Sequence, residues 1–172
     1  VFRLPGFAML NVVSVLTNIA AFSVWLLVPY HLARVTGYTL AESGAILASG
    51  AAGAVLAAPI GGRLIGRHIS AERLAIAGGA GVGAGLFLLS AWTEHTATAL
   101  RVAGLVVQGI GLGLFQLAYT DIVTAALPAA DRGVAGSLAL LTRTLGTVAA
   151  ASLVLIVFES LQLKHGFFGA FH

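Results

Sequence analysis

The sequence predicts an all-α, polytopic transmembrane helix bundle of five spans, and three observations carry that expectation. The first is composition: 59% of the 172 residues are Ala, Val, Ile, Leu, Met, Phe, Trp, Tyr or Cys, and 9% are charged. With glycine added and tyrosine left out, the apolar share is roughly 70%, where a soluble domain has about 45–50%. A globule of this length needs a polar shell, and 9 Lys and Arg with 6 Asp and Glu cannot supply one. The second is clustering: residues 4–33, 43–62, 74–93, 102–120 and 144–158 contain no Asp, Glu, Lys or Arg. About 20 residues of helix, at about 1.5 Å each, cross a hydrocarbon core roughly 30 Å thick. The third is the pattern inside these runs, which lack the strict alternation over about ten residues that a barrel strand requires.

Helix one is expected at about 7–30. Its Asn11, Ser14, Asn18, Phe22 and Trp25 recur at steps of three or four and so share one stripe. Helix two, about 42–65, is bounded by Glu42 and Arg63. Helix three, about 73–93, has almost nothing polar between Leu74 and Leu89. It carries two GxxxG spacings, Gly79 with Gly83 and Gly81 with Gly85, and small residues let helix backbones approach closely in lipid. Helix four, about 98–126, holds Gln108, Gln116, Tyr119, Thr120 and Asp121, with Gln108, Phe115 and Tyr119 on one stripe. Its Gly109-to-Gly113 run lacks the Lys-Ser/Thr and the preceding strand of a phosphate loop, and close packing is the expected use of its glycines. Helix five, about 133–158, has Arg143 inside it. The tail 159–172, with Glu159, Lys164, Phe167, Phe168 and Phe171, reads as an interfacial loop leading to a sixth helix outside this chain. The connections 31–41, 66–72, 94–97 and 127–132 are short, which makes successive helices antiparallel neighbours in one bundle spanning 1–172.

Charge is more useful for topology than for partners. The net charge of +3 is spread without a Lys or Arg run, so nucleic acid is not an expected partner. Arg3, Arg63, Arg67, Arg73 and Arg132 fall at one end of the bundle, and Arg34, Arg101 and Lys164 at the other. Cytoplasmic loops carry the excess of basic residues, which places the 63–73 loop and the start of the chain inside. Two charges lie within spans: Arg143 roughly 15 Å deep and Asp121 about 9 Å deep, close enough for a gating pair if the arginine stem leans toward its helix N-terminus. Its rival is a snorkelling Arg143 with Asp121 in the headgroup zone. The five histidines are scattered without metal spacing, no nucleophile has a His–carboxylate set, and cysteine is absent, so neither an enzyme nor a metal site is expected.

Amides facing lipid are costly, so the stripes on helices one and four face protein or a wet cavity. Because they alternate with apolar helices two and three, the expectation is a shared cavity. Its candidate lining is Asn11, Ser14, Asn18, Trp25, Gln108, Phe115 and Tyr119.

Helix two and the next loop read Ala58-Pro-Ile-Gly-Gly-Arg-Leu-Ile-Gly-Arg67-His. This resembles the cytoplasmic-loop signature of the major facilitator superfamily, roughly G-x-L-x-D-R-x-G-R. Gly62, Leu64 and Arg67 match, while Gly66 and Ile69 replace the usual Asp and Gly. Pro29 through Gly37 with Ser43-Gly44 resembles the entry to the C-terminal six-helix half in the multidrug/proton antiporter branch. Gly109 to Gly113, Leu127-Pro128, Arg132 to Gly136 and Arg143 to Gly146 resemble its later helices. The resemblance implies five of the six helices of that half, whose first and fourth helices line a central cavity. It also implies a secondary transporter, driven by the proton gradient without a cofactor, that exports small amphipathic organic compounds or drugs. The implied partners are substrate, protons, the lipid bilayer and an N-terminal half, in a bacterial inner membrane. Uptake of a metabolite by the same fold, and a sensor or scaffold domain without transport, are the alternatives.

Overall fold

The computed structural model describes residues 7–34, 37–65, 69–126 and 132–169, with side chains at all of these except 7, 8, 132, 134, 135, 138, 139 and 157–169. Five helices follow one another: α1 (Phe7–Arg34), α2 (Leu40–Leu64), α3 (Ala71–Ser90), α4 (Thr98–Ala125) and α5 (Arg132–Gly169). Among the described residues there is no strand, and Ile65 with Ile69 form an isolated bridge. Helices α1 to α4 are long and apolar enough to cross a membrane, and α5 contains the apolar stretch Leu140–Ile156.

The helix ends follow local chemistry. In α2, Thr39 accepts from the Glu42 N–H at 3.3 Å while the Glu42 carboxylate accepts from the Thr39 N–H at 2.9 Å, a reciprocal cap. In α3, Ser70 accepts from the Arg73 N–H. Two helices outrun the sequence reading. Helix α1 continues through Pro29 to Arg34, because in lipid a backbone that left the helix early would strand polar groups. Helix α5 runs to Gly169 where a loop was expected from 159: Glu159, Leu161, Gln162, Leu163 and Lys164 are all good helix formers. The expected Leu127-Pro128 stop and Phe171 lie outside the described residues.

Helix α4 is central, packed extensively against α3 and α2, while α1 packs mainly on α5. These contacts are made by backbone. Gly78, Gly81, Val82 and Gly85 of α3 form the face toward α4, where a Cβ on Gly78 would sit 2.5 Å from the Phe115 nitrogen. Gly79 and Gly83 have open space around them, so only one of the two GxxxG spacings packs. The packed set follows i, i+3, i+4, i+7, the helical face, which a pair at i, i+4 only samples. On the other side of α4, Gly109 rests on Gly50 and Gly113 on Ala54 of α2.

Two apolar clusters mark the ends of the bundle and show its up-and-down course. Leu74, Ala75, Phe115, Ala118, Tyr119 and Val123 gather with Leu10, Val13 and Leu64 at one end. Val24, Val28, Leu32, Ile46, Trp92 and Leu105 gather with Tyr38 at the other. At this second end Arg101, counted from the sequence among the cations of that end, is 1% exposed. Its Nη2 donates to the carbonyls of Thr93 at 2.9 Å and Glu94 at 3.2 Å, and its guanidinium lies 5.3 Å from the Tyr38 ring centroid. The cation therefore pins the α3–α4 connection.

Candidate functional site

Between the α1–α5 pair and the α2–α4 pair lies an open groove of about 790 Å³. Asn18, Phe22 and Trp25 line it from α1, Ala54, Val55 and Ala58 from α2, Gly113, Gln116 and Thr120 from α4, and Arg143 and Thr147 from α5. The volume falls in the range of about 300–1,000 Å³ typical of small-molecule sites. The wall is mostly apolar with a few polar groups at set places. Gln116 Nε2 donates to Asn18 Oδ1 at 3.2 Å across the α1–α4 boundary, and Asn18 Nδ2 donates to the Ser14 carbonyl at 2.8 Å. The Thr120 and Thr147 hydroxyls donate to the Gln116 and Arg143 carbonyls of their own helices, so what they offer the groove is acceptor lone pairs. Pro29 and Pro59 supply no N–H for the carbonyls four residues earlier, Trp25 and Val55, both of which line the groove.

The expected cavity residues divide. Asn18 and Trp25 line the groove, and Trp25 is 53% exposed. Asn11 lies lower on α1, where its Oδ1 accepts from Tyr119 at 2.9 Å and from Thr142 at 3.1 Å, tying α1 to α4 and α5. Ser14 is buried beside it on the same stripe. Phe115 and Tyr119 stack at 6.2 Å inside the apolar cluster on α3. Gln108 is buried with its Cβ against Gly85, and its Nε2 has no hydrogen-bond partner among the described residues. On α4 the groove face is thus 113, 116, 117 and 120, turned from the 108, 115 and 119 stripe that packs on α3. The signal for it was the Gln116–Thr120 pair, four apart; Phe22 belongs to the stripe already read on α1, and Thr147 carried no signal beyond its spacing from Arg143.

Arg143 and Asp121 do not meet. Arg143 lines the groove, whereas Asp121 follows the groove-lining Thr120 and so points about 100° away around α4. Both are exposed, and no salt bridge joins them. Of the loop signature, Gly62 is exposed with open space around it and Leu64 packs on the α3–α4 cluster, while Arg67 lies outside the described residues.

The double acceptance at Asn11 makes a prediction. Asn11→Leu should cost about 1–2 kcal/mol in a detergent unfolding titration, since it removes the acceptor shared by the Tyr119 and Thr142 hydroxyls. Combined with Tyr119→Phe the loss should be less than additive; strict additivity would mean the bond contributes nothing.

Residues 10–171 match the sequence profile described as Major Facilitator Superfamily. The chain belongs to that family. Major facilitator proteins are membrane transporters rather than enzymes, and four spanning helices agree with an integral, multi-pass membrane protein. Among known relatives, the Multidrug resistance protein Stp of Mycobacterium tuberculosis, in strains CDC 1551 / Oshkosh and ATCC 25618 / H37Rv, is 30% identical over 128 residues. The aligned region covers 74% of this chain and 24% of each relative, so the chain spans about a quarter of the length of the proteins it matches. The major facilitator assignment fits a groove walled by four helices at once, since a transporter needs a polar path inside an apolar bundle.

Proposed function

We propose that the chain forms the C-terminal part of a secondary active transporter that exports small amphipathic organic compounds in exchange for protons. The groove between α1, α2, α4 and α5 carries this reading: it combines a large apolar surface with Asn18, Gln116, Thr120 and Thr147 inside a bundle whose outer faces are apolar. The relatives named for multidrug resistance support export over uptake. The groove is one wall of a path completed by an N-terminal half, against which the bundle rocks to expose the site alternately to either side. Asn18 and Trp25 with Gln116 touch substrate, and Asn11, Ser14, Gln108, Phe115 and Tyr119 hold the wall in place. The protein sits in a bacterial inner membrane with the 63–73 loop cytoplasmic, in keeping with the basic residues gathered there. The energy source is the proton gradient.

The test is efflux of fluorescent amphipathic dyes by the full-length protein in proteoliposomes with an imposed proton gradient. Gradient-driven flux is expected, falling about tenfold or more when Asn18 and Gln116 are both replaced by Leu. Flux indifferent to the gradient would remove the antiport reading, and net inward movement would favour metabolite uptake. The rival, a domain in which polar residues only join helices, has the Asn11 bonds in its favour. Cysteine introduced at 18, 116 and 147 separates the two. Labelling by water-soluble thiol reagents is expected at all three, and silence at all three would establish the rival; the chain contributes no cysteine background.

A further inference from the structure

Among the described residues Arg143 is the only ionisable group in the groove lining, and no carboxylate of theirs pairs with it. It lies about 16 Å along α5 from Arg132, well inside the span. A guanidinium does not shed its proton at any accessible pH, so it cannot become neutral to suit an apolar surrounding, as a lysine or histidine would. An intramembrane charge of this kind calls for a partner. Asp121 is turned away, and among the described residues Glu42, Glu72 and Glu94 lie at helix ends far along the chain from the groove-lining positions. The groove instead offers spare amide N–H groups of Asn18 and Gln116 and an apolar floor of Ala54, Val55, Ala58 and Leu117.

From this we infer that the groove selects amphipathic organic anions, with the carboxylate, sulfonate or phosphate of the cargo on Arg143 and its apolar body along α2. The inference rests on the transporter reading and goes beyond it by fixing the sign of the cargo. A lipophilic cation would bring a like charge to Arg143 and find no carboxylate among the described lining residues to receive it. The planar fork of Arg143 suits a bidentate anion, which a Lys would hold only as a point charge.

The experiment uses the full-length protein in phosphatidylcholine vesicles under a proton gradient, with two probes on one aromatic body: 1-pyrenesulfonate and (1-pyrenylmethyl)trimethylammonium. Wild type is expected to move the sulfonate, and Arg143→Gln to lower its rate at subsaturating concentration about tenfold, the size of one charge-assisted bond. Arg143→Lys should restore part of that loss, and the ammonium rate should be unchanged or higher in Arg143→Gln. Expression and melting temperature of each variant show that folding is retained, and the opposite responses of the two probes cannot arise from misfolding. Repeating the assay with phosphatidylglycerol present distinguishes cargo from lipid. Sulfonate transport that persists in both vesicles supports a cargo site. Arg143-dependent retention of labelled phosphatidylglycerol, with sulfonate flux unaffected by Arg143→Gln, overturns it in favour of a headgroup site. Equal loss of both probes, or transport of the ammonium alone, also overturns the inference while leaving a transporter. If no dye, charged or neutral, is moved, the transporter reading itself fails.

Discussion

Gly109→Leu is expected to leave almost no folded protein in the membrane. A side chain at this position would be driven straight into the Gly50 carbonyl oxygen of α2, and backbone has no rotamer with which to retreat. Even Gly109→Ala should cost about 1–3 kcal/mol, the ordinary penalty of overpacking, because α2 and α4 must separate to admit one methyl group. The fitting contrast is Gly79→Ala and Gly83→Ala, which face open space on α3. There the added methyl meets nothing, and the gain in helix propensity of up to about 1 kcal/mol should leave stability unchanged or raised. Size-exclusion profiles and melting temperatures of the four variants in the full-length protein decide the matter. Equal behaviour at 79, 83 and 109 would mean that α2 and α4 are not in backbone contact.

Arg101→Ala should be the most damaging change outside the glycine-packed faces. It withdraws the donor from the Thr93 and Glu94 carbonyls and removes the cation from the Tyr38 ring at one stroke. Two charge-assisted bonds in a buried position make a loss of about 3 kcal/mol the expected scale. Arg101→Met keeps much of the volume and separates packing from hydrogen bonding. If the methionine variant melts like wild type, the carbonyl bonds contribute little and the pin is only a spacer. Proteolysis within 93–97 should rise in Arg101→Ala, because that connection is what the guanidinium holds.

The course of the chain was legible because bilayer thickness and the cost of burying charge act on every residue of a span at once. Charge-free runs therefore gave the helices to within a few residues, except where good helix formers carried α5 beyond Glu159 and where Pro29 failed to end α1. The face of each helix was harder to read. The stripe on α1 points at both the groove and the α4–α5 contact, and Asn18 and Asn11, seven residues apart, divide between them. On α4, Gln108 and Gln116 look alike in sequence, yet one is buried on Gly85 and the other lines the groove. The difference is set by the glycines of α3, whose packed face could not be told from Gly79 and Gly83 by spacing alone. The burial of Arg101 was not legible for a related reason. Its place near the start of α4 says nothing of the Tyr38 ring, brought by the α1–α2 connection at the same end, or of the Thr93 and Glu94 carbonyls that surround it.

The way the helices are joined has a mechanical consequence. Where α2, α3 and α4 meet, carbonyl lies on glycine, so a shift between them would have to prise main chains apart, and the three form a single keel. Helix α1 meets that keel through side chains instead, by the Asn11–Tyr119 and Asn18–Gln116 links and by apolar residues such as Val13, Val24 and Leu32. If the groove widens for a bulky guest, as the transport proposal requires, the seam of side chains along α1 and α5 is where the least main chain has to part.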